Sequence, residues 1–292
     1  MVNFDLQICS RGKPINNRVS SGSITTIKPV SSWQWPDVLE LFKYRELFLA
    51  FCMRDIKVRY KQTVLGAMWA IIQPVTIMII FSIIFGGLAK IPSEGYPYPI
   101  FLYSALLPWN LFASVVATAG GSMISSAALV GKIYFPRMVV PYSSAGAACV
   151  DFLISSCVLL VLMWYFDVSL GWGLLVVPLL MFGVLLTALG VGTALAALVV
   201  SYRDFRFVIP FLVQIWMYLT PVVYPLNFIP DQWRWILLIN PMTGYVDGFR
   251  SAYLGVPLNL TSLIISIVLS VALFCLGAIY FKKVEKRFAD VI

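Results

Sequence analysis

The distribution of lysine and arginine constrains this chain more than any other feature. Long stretches without a charged residue alternate with short polar connections, and the basic residues occupy every second connection. Of the 21 Lys and Arg residues, ten precede the first uncharged stretch and eight lie in the later connections of the same set, whereas Lys90, Arg234 and Arg250 fall in the others. This bias follows the positive-inside rule, so it predicts a polytopic membrane protein with both termini in the cytoplasm.

Six of the uncharged stretches can each hold the roughly 20 apolar residues that cross a bilayer. We therefore predict an all-α membrane protein with six transmembrane helices, at about 64–89, 100–123, 140–166, 174–200, 207–225 and 260–281. Only 12% of the residues are charged, about half the share in soluble domains. Residues 1–40 contain no apolar run typical of a signal peptide, so the first span is expected to act as the targeting signal.

The segments outside the spans divide into a tail and an amphipathic helix. Residues 1–32 are predicted to form a mobile cytoplasmic tail, and residues 33–292 a single transmembrane domain. Within 38–62, an apolar face recurs at helical spacing beside a basic face, which predicts an interfacial helix at the headgroups. The apolar face consists of Leu49, Cys52, Met53, Ile56 and Tyr60. An ordinary helix packed on a partner protein is the alternative. The basic face consists of Arg54, Lys57, Arg59 and Lys61.

The connection between spans five and six combines four prolines with a short apolar segment. Such a segment is too short to cross the membrane, and prolines break helices because each removes a backbone donor. We predict two short re-entrant or interfacial helices here, near Asp231–Ile239 and Thr243–Leu254.

The residue content excludes several mechanisms. The chain has no histidine, its five cysteines show no CxxC spacing, and it has no GxxxxGK[ST] phosphate loop. We therefore predict no catalytic residue, no metal site and no cofactor in this chain, and an energy source in another subunit. The net charge of +8 is attributed to orientation and to contact with anionic lipids, not to nucleic acid.

Two features of the cytoplasmic side are open to more than one interpretation. Asp151 is predicted to lie in the cytoplasmic third of span three, either as a relay or substrate contact, or as a carboxylate hydrogen-bonded to a neighbouring helix. In the connection between spans two and three, Ser125 or Ser126 can cap a short helix over 127–133 that Pro136 ends. This segment could meet the energy-supplying subunit, or it could be a plain loop with orienting charges.

Two stripes of aromatic and amide side chains are candidates for a substrate path. Because Gln73 and Gln214 are costly against lipid, the faces that carry them are predicted to point inward. Aromatic rings stack on the apolar faces of sugars and amides bond to hydroxyls, so these faces suit a glycan; ordinary helix packing is the alternative. The stripes are Trp69, Gln73 and Thr76 in span one, and Phe207, Phe211, Gln214 and Tyr218 in span five.

Three separate regions of the sequence resemble a known family. Residues 54–66, RDIKVRYKQTVLG, with Trp69 and Gln73-Pro74, resemble the entry to span one in bacterial type-2 ABC permeases for polysaccharide export, which export O-antigen, capsule and teichoic acid. Residues 129–137, LVGKIYFPR, resemble the cytoplasmic loop between spans two and three of these permeases. The runs 220–225, TPVVYP, and 240–244, NPMTG, resemble the segment after span five. The resemblance covers nearly the whole chain from about residue 35.

The resemblance implies a homodimer in the bacterial cytoplasmic membrane, bound to two copies of a separate ATPase that would hold ATP and Mg. It implies a path for an undecaprenyl-linked polysaccharide, whose pyrophosphate the basic face of the interfacial helix would attract. The loop between spans two and three would contact the ATPase through Ser125, Ser126, Leu129, Lys132, Tyr134 and Arg137. The short helices after span five would form an outer gate that includes Trp233, Trp235 and Tyr245.

Two other functions compete with polysaccharide export. A type-2 ABC exporter of teichoic acid, capsule, a drug or a small lipid would share the same topology. A polytopic acyl- or glycosyltransferase would need a cluster of acidic or histidine residues at one membrane face, and the sequence offers none.

Overall fold

The computed structural model describes residues 43–61, 66–130, 135–169 and 171–285, apart from the side chains of Ala67 and Asp231. The predicted tail 1–32, the first residues of the predicted interfacial helix, and Lys132 and Tyr134 lie outside the described residues. The described part is mostly helical and contains no strand.

The α-helices are numbered here in chain order. They are α1 (Arg45–Lys61), α2 (Trp69–Phe81), α3 (Tyr98–Ser125), α4 (Ala127–Val130), α5 (Val139–Ser143), α6 (Ala145–Tyr165), α7 (Val177–Ser201), α8 (Phe205–Leu219), α9 (Asp231–Leu238), α10 (Pro241–Leu254) and α11 (Leu260–Glu285). Short 3₁₀ turns at Gly66–Met68, Trp172–Val176 and Leu226–Phe228 join them, and α2 continues into a π-helical stretch at Ser82–Leu88.

Among the described residues, five helical segments are long and apolar enough to cross a bilayer. Their bounds agree with five of the predicted spans to within about five residues, because each is a mostly apolar run of the required length. They are Trp69–Leu88, Tyr98–Ser125, Val139–Tyr165, Trp172–Ser201 and Leu260–Glu285.

The predicted fifth span, 207–225, is shorter in the structure. Helix α8 has 15 residues and ends at Leu219, so it rises about 22 Å, less than the roughly 30 Å hydrocarbon core. Its C-cap, Thr220, is extended, with φ −99° and ψ 139°. Pro221 explains this end, because a proline drives the residue before it out of the helical region.

Helix α3 is the centre of the bundle. In its most apolar stretch of 18 residues, 78% of the residues are buried, against 33% or less in the corresponding stretches of the other four segments. It packs against α2, α6, α7, α8 and α10. The remaining spans therefore keep broad apolar surfaces, which suit lipid or a second subunit.

Helix α1 packs against α5 and α6 at one end of the bundle, which we call the α1 end. Of the predicted apolar face, Cys52 is buried whereas Leu49 and Met53 remain more than half exposed. The Cys52 thiol donates to the Ser143 carbonyl at 3.2 Å. Gly146 permits this approach, because a Cβ there would lie 3.0 Å from the Cys52 sulfur.

Helices α7 and α11 approach each other through small residues. A Cβ added to Gly277 would lie 2.1 Å from the carbonyl oxygen of Gly190. Beside this contact, the hydroxyls of Thr187 and Ser270 are 2.6 Å apart, and the Tyr245 hydroxyl donates to Ser270 at 2.9 Å. Small residues and interhelical hydroxyl bonds are typical of helix packing within a membrane.

At the opposite end of the bundle, two short helices occupy the regions predicted for them. Asn240 caps α10, because its side-chain oxygen accepts from Met242 N at 3.0 Å and from Trp216 Nε1 at 2.9 Å. Gly255 ends α10 in the left-handed conformation, with φ +73°, which glycine adopts without steric cost. Asn240 thus links the end of α8 to the start of α10.

Candidate substrate-binding site and coupling loop

A cavity of about 450 Å³ opens between α1, α2, α3 and α6 near the α1 end. Its wall combines an indole, two amides, a carboxylate and hydroxyls, and we call it the amide cavity. Its polar and aromatic lining includes Trp69, Gln73, Asn110, Ser114, Asp151 and Ser155, with Arg59 at one edge. The predicted stripe of span one therefore contributes two of its three residues, whereas Thr76 is exposed elsewhere on α2.

Asp151 forms the main polar contact between α6 and α1. Its Oδ2 lies 2.6 Å from Arg59 Nη2, and its Oδ1 accepts a hydrogen bond from the Tyr60 hydroxyl. Arg59 Nη1 also donates to Ser114 Oγ at 3.5 Å. Asp151 has the contacts of the second predicted role, a carboxylate hydrogen-bonded to a neighbouring helix. Because it also lines the cavity, the first role, a substrate contact, stays a prediction.

Tyr60 is held as a hydrogen-bond donor. Partial burial raises the pKa of its hydroxyl above the usual value, and the hydrogen bond to Asp151 raises it further. Because the proton stays on the tyrosine near neutral pH, Tyr60 donates to the carboxylate while Arg59 neutralises its charge. The carboxylate is thereby fixed on the side of α6 that faces α1.

A second, larger recess adjoins the amide cavity at the α1 end. This recess, the arginine groove, has a volume of about 860 Å³ and runs between α1, α3, α5, α6 and α8. Its polar lining comprises three arginines, one carboxylate and four hydroxyls, from Arg54, Arg59, Arg206, Asp55, Thr118, Ser122, Ser125 and Ser144. Arg59 lines both recesses, and the groove concentrates guanidinium groups, which match phosphate oxygens in geometry and charge.

The four residues of the predicted basic face divide into two pairs. Arg54 and Arg59 line the arginine groove, whereas Lys57 and Lys61 are exposed on the outer side of α1. Arg54 also contacts the loop after α3, since its Nη2 donates to Ser126 Oγ at 3.4 Å. Its Nη2 lies 2.9 Å from Asp55 Oδ1.

The predicted stripe of span five lies on an outer surface of this chain. Of the residues of α8, all of which the structure describes, only Ile209 is buried. Phe207 is 80% exposed and Tyr218 58% exposed, and Phe211 and Gln214 are exposed as well. Within one chain these four side chains are therefore not covered by the other described helices.

The predicted coupling segment begins as a short helix, α4, which is described as far as Val130. Ser125 is exposed, and its hydroxyl donates back to the Ser122 carbonyl at 2.9 Å. Ser126 is buried and its hydroxyl accepts from Arg54, while Leu129 is half-buried. The hydroxyls of the two predicted capping residues thus bond to α3 and to α1.

The end of this segment is bound to both the first and the last helices. Arg137 Nη1 donates to the Glu285 carbonyl at the end of α11, at 2.6 Å. The Phe135 ring lies 5.7 Å from the Phe51 ring of α1, centroid to centroid. The Phe51 and Phe135 rings belong to an apolar cluster that also includes Met123, Val200 and Phe281.

The predicted outer gate residues differ in their surroundings. Trp233 and Trp235 are more than half exposed, whereas Tyr245 is 2% exposed and donates to Ser270 within the packing of α10 on α11. Tyr245 thus contributes to helix packing, while the two tryptophans present their rings at the surface.

Three polar residues of importance were not singled out from the sequence. Asn110 and Ser114 line the amide cavity, and Arg250 is 1% exposed and donates to the carbonyls of Val222, at 2.6 Å, and Tyr224, at 3.2 Å. An amide inside span two carries the same signal as Gln73, because an unpaired amide is costly against lipid. The residues next to Arg250 in the sequence do not predict its burial, because the carbonyls that it binds lie more than 25 residues away.

Comparisons with known proteins give relatives over most of the chain. The O-antigen export system permease protein RfbA of Klebsiella pneumoniae is 28% identical over 251 residues, which cover 85% of this chain and 95% of that protein. RfbA of Myxococcus xanthus is 27% identical, covering 87% of this chain and 98% of that protein. The polysialic acid transport protein KpsM of Escherichia coli is 26% identical, covering 77% and 90%.

A family model also matches most of the chain. The model described as ABC-2 type transporter matches residues 46–254, which extend from α1 to the end of α10 and include both recesses at the α1 end. With its five long apolar helices and this match over most of its length, the chain belongs to the ABC-2 type transporter family of membrane proteins.

Proposed function

We propose that this chain is the permease subunit of an ATP-driven exporter that moves a lipid-linked polysaccharide, similar to O-antigen, across the bacterial cytoplasmic membrane. The main support is the likeness to two RfbA permeases over at least 85% of the chain. The aromatic and amide surfaces of α2 and α8 have the chemistry that a glycan needs.

The proposed assembly is a homodimer with two copies of a separate ATPase, which binds ATP and Mg. The exposed stripe of α8 supports the dimer, because Phe207, Phe211, Gln214 and Tyr218 have no cover within one chain. In a dimer, the α8 stripe of one subunit would face a path together with Trp69 and Gln73. The ATPase would contact the segment from Ser125 to Arg137, including Lys132 and Tyr134.

In the proposed topology, α8 and the turn residues after it complete a sixth crossing, and both termini lie in the cytoplasm. The α1 end is then the cytoplasmic end, as the basic residues of α1 and the charge bias of the connections require. Helices α9 and α10 would lie in the outer leaflet, with Trp233 and Trp235 at the exit of the path.

Deletion of the gene tests the function directly. We expect undecaprenyl-linked glycan to accumulate on the cytosol-facing leaflet and the surface polymer to disappear, because the lipid carrier cannot cross with its glycan unaided. Both would be measured by extraction of lipid-linked glycan and by surface labelling, with the complemented strain as the control. Normal surface glycan in the deletion strain would contradict the proposal.

The polymer that is lost separates the proposed substrate from its alternatives. The likeness to the polysialic acid transport protein KpsM makes a capsule exporter the second candidate, ahead of teichoic acid, a drug or a small lipid. Loss of a capsular polymer with intact O-antigen would favour that candidate.

Export should also depend on the exposed stripe of α8. We expect Tyr218→Ala to slow export about 2- to 10-fold, since a stacked aromatic contact contributes about 0.5–1.5 kcal/mol, and Gln214→Ala to act in the same direction. The rate would be followed by pulse labelling of surface glycan. Tyr165→Ala is the matched control, because Tyr165 is 72% exposed on α6, outside the stripe. Equal export in all three variants would remove α8 from the path.

A further inference from the structure

The amide cavity and the arginine groove lie side by side and share one residue. Arg59 lines both of them, so its guanidinium group stands at the boundary between a recess rich in amides and a recess rich in positive charge. Two adjacent recesses of such different chemistry suit a ligand with two chemically different parts joined by a short link.

The arginine groove has the features of a phosphate site. Arg54, Arg59 and Arg206 approach it from α1 and from the start of α8, and hydroxyls of α3 and of the α5–α6 junction complete its wall. Arginine binds phosphate oxygens with two parallel hydrogen bonds. Asp55, which also lines the groove, contacts Arg54 in a partly exposed ion pair, which stabilises weakly and which a more highly charged anion can displace.

The amide cavity has the features of a saccharide site. Its volume of about 450 Å³ falls within the roughly 300–1,000 Å³ of typical ligand pockets. Trp69 offers an indole face, and Gln73 and Asn110 offer amides that can donate to and accept from sugar hydroxyls. Asp151 adds a fixed acceptor, because Arg59 and Tyr60 hold its carboxylate in place.

We infer that the two recesses form one site for a glycosyl diphosphate. The diphosphate occupies the arginine groove, the first sugar occupies the amide cavity, and Arg59 contacts the phosphate next to the sugar. This inference rests on the proposed function and adds to it a location for the head group and two residues, Arg206 and Asn110, with separate roles. The lipid tail of the ligand would leave the groove beside α8.

Two variants separate the two parts of the site. Asn110→Leu keeps the approximate size of the side chain and removes its hydrogen bonds, and Arg206→Gln removes one guanidinium from the groove. Arg203→Gln is the matched control, because Arg203 precedes α8 in the same connection, is exposed and lies outside the lining of the groove.

Binding would be measured on the permease–ATPase complex in nanodiscs without ATP. The probes are undecaprenyl pyrophosphate, the lipid-linked glycan isolated from the deletion strain, and UDP-glucose as a soluble glycosyl diphosphate. We expect Arg206→Gln to weaken both lipid probes about tenfold, as for the loss of a charged hydrogen bond. Asn110→Leu should weaken only the glycan probe, about fivefold or more, and Arg203→Gln should leave both within about twofold.

Each contrary result has a distinct meaning. If Asn110→Leu weakens both lipid probes equally or neither of them, the saccharide part of the inference is wrong. If Arg206→Gln changes neither, the phosphate part is wrong. If the wild-type complex binds neither lipid probe, the proposed function itself fails. Binding of UDP-glucose as tight as that of the glycan probe would assign the site to soluble sugar nucleotides and overturn the lipid-linked head group.

Discussion

Gly277→Ala is expected to prevent stable packing of the last span. The added Cβ would lie 2.1 Å from the carbonyl oxygen of Gly190 and 2.9 Å from its carbonyl carbon. Both are backbone atoms of α7, so no side-chain rotation relieves the overlap and the two helices must separate. We expect a loss of about 3 kcal/mol or more in the free energy of unfolding, at the upper end for overpacked cores.

This loss would be measured by SDS titration of the purified permease, with the fraction of monodisperse protein as a second measure. Gly121→Ala is the matched control, because a Cβ at this position of α3 would meet no atom within 4 Å. There the exchange of glycine for alanine should be neutral or stabilise by about 0.5–1 kcal/mol. An unfolding midpoint for Gly277→Ala equal to that of Gly121→Ala would show that α7 and α11 are not in close contact.

Arg250→Met is expected to cost about 2–5 kcal/mol of stability, because buried carbonyls lose their donor. The guanidinium donates to Val222 O and Tyr224 O and lies 3.9 Å from the centroid of the Phe101 ring. Without it, the turn segment after α8 loses two of its hydrogen bonds to α10. We therefore expect the segment to loosen as well as the whole domain to lose stability.

Arg250→Lys distinguishes the charge from the planar group. Lysine keeps the positive charge but cannot bond both carbonyls and stack on Phe101 in the same geometry, so its stability should lie between those of the wild type and Arg250→Met. Proteolysis of the segment Thr220–Pro225, alongside thermal unfolding, would report the local effect. Stability of Arg250→Met equal to that of the wild type would contradict the role assigned to this side chain.

The spans could be predicted from the sequence because the apolar contributions of successive residues add up along the chain. Each of the five long segments is a mostly apolar run long enough to cross the membrane, and no tertiary contact is needed to recognise it. The end of α8 required a local rule instead: the Thr220–Pro221 bond limits the helix, whereas an apolar run alone extends the span to 225. The predicted span and the observed helix therefore end at different residues, because Pro221 stops the helix before the apolar run ends.

The candidate site could be predicted only in part. Trp69 and Gln73 were found because polar and aromatic residues share a face of one helix, yet their neighbours in the cavity come from three other helices. Asn110 and Arg59 reach the cavity through tertiary packing, which periodicity within one helix does not describe. Tyr245 shows the reverse case, because an aromatic residue typical of a membrane surface is buried against Gly183 and Ser270.

The contacts of Phe135 and Arg137 join the beginning and the end of the membrane domain to a single short segment. A displacement of that segment therefore cannot remain confined to the two spans it connects. If the proposed ATPase binds there, the same displacement would also move α1, which lines both recesses, and α11.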